Sequence, residues 1–99
     1  MRYTHTFTPR GLSQYENAYK WYWERSEVAG DNFRLAFLGK IDDICQHPQQ
    51  YRNVRKNFRE AILKKFPFSI IYIINDVNHS IIITSIFHHK QHPKQKYKK

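Results

Sequence analysis

The sequence predicts an α+β fold: an N-terminal strand, an antiparallel helical hairpin, then a C-terminal, mainly antiparallel sheet of three to four strands. Three patterns carry this reading. Residues Arg2 to Phe7 alternate, apolar residues recur at helical spacing between Pro9 and Pro48, and two isoleucine-rich runs, Phe68–Ile74 and Ser80–Phe87, follow.

In the opening segment Tyr3, His5 and Phe7 fall on one face and Arg2, Thr4 and Thr6 on the other, the period of a half-buried strand. Thr8-Pro9 then reads as an N-cap and first helical position, because proline's missing N–H costs nothing there, and Ser13 with Glu16 offers a capping box for the same helix. Leu12, Tyr15, Tyr19, Tyr22 and Trp23 form one apolar stripe, which predicts a helix from Pro9 to Arg25. Gly30, Asp31 and Asn32 predict a break. A second helix starts at Phe33, carries Phe33, Phe37, Ile41, Ile44 and Cys45 inward, and stops at Pro48. The short connection makes the two helices antiparallel. After Tyr51 the period changes to two around Ala61 and Leu63, and Phe66-Pro67 interrupts the ladder. The run Phe68–Ile74 reads as a central strand covered on both faces, and the turn residues Asn75–His79 join it to Ser80–Phe87 as an antiparallel hairpin.

The chain has 99 residues and a formal charge of +9. That length fits one domain over residues 1–99, with 88–99 a basic, flexible tail. The charge is unevenly placed. Up to Gln50 basic and acidic residues balance, whereas the second half sets eleven Lys and Arg against only Glu60 and Asp76. A surface of this sign attracts phosphate backbones or an acidic protein, with affinity that falls steeply in salt. The single cysteine, Cys45, excludes an internal disulfide and a cysteine-based zinc site, and points to a reducing, cytoplasmic setting. No apolar run approaches the ~18 residues of a membrane span, and Met1–Arg10 has no signal-peptide core, so no membrane partner is expected.

The basic residues form two sets, Arg52, Arg55, Lys56, Arg59, Lys64 and Lys65 around the first late strands, and Lys90, Lys94, Lys96, Lys98 and Lys99 in the tail. They are the candidate surface for a polyanionic or acidic partner. Cleavage at an RNA 2′-hydroxyl would need a base, an acid and cationic donors. Those roles fall to His88, to Tyr97, and to Arg55, Lys56 and Arg59, a set whose plainer reading is phosphate binding without catalysis. His88, His89 and His92 lack the spacing and nearby carboxylates of a metal site, and no metal or cofactor is expected. Asp42-Asp43 and the pair Glu16 and Glu24 read as solvated helix faces, and Cys45 as a packing residue. Three scattered glycines exclude a phosphate-cradling loop.

Taken together, Phe7 in the opening strand, Trp21-Tyr22-Trp23, Phe33, His47-Pro48 with Tyr51, and above all the run Arg59 to Tyr72 with its Phe66-Pro67-Phe68 core resemble the ParE/RelE superfamily of bacterial type II toxins, in its plasmid-stabilisation, ParE-like branch. His88, five residues before Pro93, fits the superfamily's closing His and Pro. The resemblance implies a growth-inhibiting toxin neutralised by a cognate acidic antitoxin. ParE-like members poison DNA gyrase, and RelE-like members cut mRNA on the ribosome. RelE-like enzymes place an arginine just ahead of the tyrosine matching Tyr72, where this chain has Ser69, and a second near Gln91. The resemblance therefore implies a gyrase poison. Its alternatives are a ribosome-dependent endoribonuclease using Arg59, His88 and Tyr97, and an inactive toxin-fold binding protein. Arg52, Arg55, Lys56, Arg59, Lys64, Lys65, Lys90 and Gln91 are the expected target- or antitoxin-binding residues.

Overall fold

A computed structural model describes residues 2–91, 96 and 97. Strand β1 (Thr4–Phe7) leads into helices α1 (Pro9–Arg25) and α2 (Glu27–Gln46). A short 3-10 turn, Pro48–Gln50, then precedes β2 (Arg52–Arg55), β3 (Phe58–Ile62), β4 (Phe68–Asn75) and β5 (Ser80–His88). The five strands form one sheet in the order β1-β5-β4-β3-β2. β1 runs parallel to β5 and every other pairing is antiparallel. This is the α+β arrangement that the periodicity predicts, with β1 added to the four later strands.

The start of α1 follows its sequence signals: Pro9 opens it and the Thr8 Oγ1 accepts the Gly11 N–H at 3.1 Å. The start of α2 does not. It begins at Glu27 rather than Phe33, because the extended residue Ser26 closes one helix and opens the next. Its N–H donates to the Tyr22 carbonyl and its Oγ accepts the Ala29 N–H at 3.3 Å, so one residue caps both ends. Gly30 is therefore inside a helix, and its role is close approach. A Cβ at Gly30 would sit 2.9 Å from the Cα and Cβ of Trp23. The expected stripe on α1 is also narrower than its spacing suggests. Tyr15, Tyr19 and Tyr22 pack against the core, while Leu12 and Trp23 are 42% and 47% exposed. The buried residues of α1 are the small ones, Gly11 and Ala18. At Gly11 a Cβ would approach the Ile83 carbonyl oxygen to 2.5 Å, so only glycine lets the helix lie this close to β5.

Side chains of β4 alternate between two cores. Ile70 and Tyr72 face the helices with Phe33, Phe37, Ile41, Ile44, Ile81 and Ile83, whereas Ile71 packs on the outer face with Phe58 and Phe87. Cys45 is fully buried in the helix-side core, and burial pushes its thiol pKa up, so it is a packing residue. Asp42 pairs with Arg2 and accepts from Gln46 on the surface. No helix among the described residues is long and apolar enough to cross a membrane.

Candidate functional site

The outer sheet face is built around Glu60, one of only two acids in the second half of the chain. β3 directs Phe58 and Glu60 outward and Arg59 and Ala61 toward the helices, by the alternation of any strand. The Glu60 side chain is 6% exposed, with Lys96 Nζ at 2.9 Å and Arg52 Nη2 at 3.3 Å. Burial alone would raise its pKa. Hydrogen bonds from Ser69, Lys96 and Arg52, with the charge of Lys96, outweigh that and leave it below the ordinary carboxylate value. Ser69 is fully buried and lies 2.9 Å from His89 Nε2. Its hydroxyl is thus shared between the Glu60 carboxylate and the His89 imidazole. Next to this cluster Tyr97 packs on Phe58, with the Arg55 guanidinium over its ring at 5.4 Å.

The basic residues singled out in the sequence occupy three places. Arg52, Arg55 and Lys56 lie on and beyond β2, which among the described residues is an edge strand paired with β3, and all three are exposed. Lys56 takes a left-handed conformation (φ 51) in the β2–β3 turn. Lys64 and Lys65 lie in the β3–β4 connection beside α2, and Lys90 follows β5. The last two places share one end of the sheet, since the His89 N–H donates to the Pro67 carbonyl. Arg59 is different. Its guanidinium turns to the helix side and donates to the Gln49 carbonyl at 3.2 Å and the Tyr51 carbonyl at 2.6 Å. His92, Pro93, Lys94, Lys98 and Lys99 lie outside the described residues.

The nuclease set is not assembled. Arg59 stands opposite Tyr72 and His88 opposite Phe68, four residues apart along β4 and hence roughly 13 Å at strand rise. Tyr97 lies on the other face of the sheet, in the cluster of Phe58, Ile71 and Phe87. Tyr72 itself is fully buried and donates to the Pro48 carbonyl at 2.6 Å, and burial drives its pKa far above the ordinary phenol value. Among the described residues no group of three or more His, Cys, Asp or Glu is placed to hold a metal. Sequence reasoning missed Glu60, Ser69, His89 and Lys96 as one polar cluster. The available signal was the lone acid of a basic, strand-rich stretch, since an isolated carboxylate there is paired when it is buried.

A two-helix layer on one face of a mixed five-stranded sheet, with a basic edge and an outer cluster around the buried Glu60, defines a small α+β module. The same fold occurs in a solved structure described as the chromosomal ParDE TA system from P. aeruginosa, which matches with a TM-score of 0.72 over 88% of this chain and 96% of that one, at 16% identity. No curated protein sequence matches this chain. The family described as the ParE toxin of the type II toxin-antitoxin system, parDE, matches residues 6–93, and the chain belongs to that family.

Proposed function

We propose that this ParE-family toxin acts in the cytoplasm, arrests growth by poisoning DNA gyrase through binding, and is neutralised by a cognate acidic antitoxin. The carrying observation is the scattering of the acid-base candidates. Arg59 is spent on backbone carbonyls, Ser69 is buried between Glu60 and His89, and Tyr97 lies on the opposite face from His88. Among the described residues the candidate acid, base and phosphate clamp do not converge, which favours binding over bond cleavage. The exposed cations Arg52, Arg55, Lys56, Lys64, Lys65 and Lys90 suit both an acidic antitoxin and a DNA-bound target. Induction of the chain in cells tests the reading. Growth should stop with gyrase-dependent DNA breaks and intact mRNA, whereas codon-phased mRNA cuts by primer extension would establish the endoribonuclease instead.

A further inference from the structure

The outer face of the sheet carries its own small core. Phe58, Ile71 and Phe87 are buried there, although the helices pack with the other core. Two of these aromatic rings are covered by the chain's own C-terminal segment. Tyr97 packs on Phe58 with ring centroids 5.4 Å apart, and the Lys96 ammonium lies 5.1 Å from the centroid of Phe87. Lys96 also pairs with the Glu60 carboxylate at 2.9 Å, and its side chain is only 17% exposed. Among the described residues Lys96 and Tyr97 are held by side chains alone, with no backbone hydrogen bond from either to the sheet.

From these contacts we infer that Lys96 and Tyr97 form a releasable strap, latched by Glu60, which closes the outer aromatic face of the sheet and opens while the rest of the fold stays intact. Glu60 permits release because it has a second cation. Taking the one partner from a buried carboxylate leaves an uncompensated charge, which is strongly destabilising. Here Arg52 Nη2 at 3.3 Å and the hydrogen bond from Ser69 remain when Lys96 leaves, and Arg52 belongs to β2 rather than to the tail. A segment docked by side chains over strands that keep their own ladders opens locally, well below the cost of global unfolding. The helix-side core, with Phe33, Phe37, Ile70 and Tyr72, contains neither strap residue. What the strap governs is access. Lifted, it uncovers Phe58 and Phe87 and frees the Arg55 guanidinium from the Tyr97 ring, and aromatic and arginine side chains are those that dominate protein interfaces. The inference stands independently of what the chain poisons and of what neutralises it.

Trypsin cleavage of the Lys96–Tyr97 bond reads the open state, because a lysine bridged to a buried carboxylate cannot enter the protease. The folded full chain is digested briefly and the cuts are followed by mass spectrometry, with cuts inside the helices and strands reporting global unfolding. Glu60→Gln removes the charge of the latch and should speed the cut after Lys96 about tenfold, and Tyr97→Ala should act in the same direction. Arg52→Gln leaves Lys96 as the remaining cation on Glu60 and should slow that cut about threefold, a protection that misfolding cannot imitate. Binding of an apolar fluorescent dye should rise with the cut in Glu60→Gln and Tyr97→Ala. Equal cleavage in the parent chain and all three variants, acceleration by Arg52→Gln, unchanged dye binding, or a cut after Lys96 that rises only together with cuts inside the helices and strands overturns the inference.

Discussion

Arg59 and Tyr72 stand opposite each other across β3 and β4, and both donate to the same short stretch of backbone. Arg59 takes the carbonyls of Gln49 and Tyr51, and Tyr72 takes that of Pro48. Together they fasten the turn that leaves α2 to the centre of the sheet. Tyr72→Phe leaves a buried carbonyl without its donor and should cost about 1–3 kcal/mol, read as a lower urea midpoint. Arg59→Met should lower stability similarly while a folded sample keeps its affinity for antitoxin. A selective loss of partner binding at unchanged stability would show Arg59 to be a contact residue instead.

The glycines of α2 should respond in opposite directions. Gly30→Ala forces a Cβ against the backbone of Trp23 and should destabilise by about 1–3 kcal/mol. Gly39 has open space around it, so Gly39→Ala should stabilise by about 0.5–1 kcal/mol through helix propensity alone. Paired thermal melts check both signs.

Stability should fall at acid pH through Glu60. Its folded pKa lies below the ordinary 4.5, so the native state binds this proton less readily than the unfolded chain does. The stabilisation is fully present above the unfolded value and is lost as pH falls through the folded one. Urea midpoints measured from neutral pH downward should drop less steeply in Glu60→Gln than in the parent chain. Parallel curves would remove Glu60 from the account.

Arg55→Glu with Lys56→Glu reverses charge on the exposed edge and its turn, and gives up the contact of the Arg55 guanidinium with the Tyr97 ring. Antitoxin affinity should fall and its dependence on salt should flatten, as fewer cations are engaged. Unaltered affinity and salt slope would place the antitoxin away from β2.

Much of this fold is legible in the sequence because apolar periodicity is a local property. The capped start of α1, the inward face of α2 and the β4–β5 hairpin all follow from spacing. The start of α2 is not legible in the same way. Gly30-Asp31-Asn32 carries turn composition, yet Gly30 is there for Trp23 to approach and the turn is a single residue, Ser26. Strand β2 is polar and earns its place by pairing with β3 rather than by burial, so Arg52–Arg55 shows no alternating pattern. The outer cluster depends on contacts across 9 to 36 residues, between Glu60, Ser69 and Lys96, which no local pattern encodes. Arg59 shows the converse, since its charge reads as surface while its neighbours' carbonyls draw it inward.

The most direct test of the central claim uses purified gyrase and the purified chain. Added toxin should inhibit supercoiling and accumulate cleaved DNA–gyrase complexes, and prior binding of the antitoxin should restore activity. Gyrase that supercoils normally at concentrations of the chain that arrest growth would contradict the account.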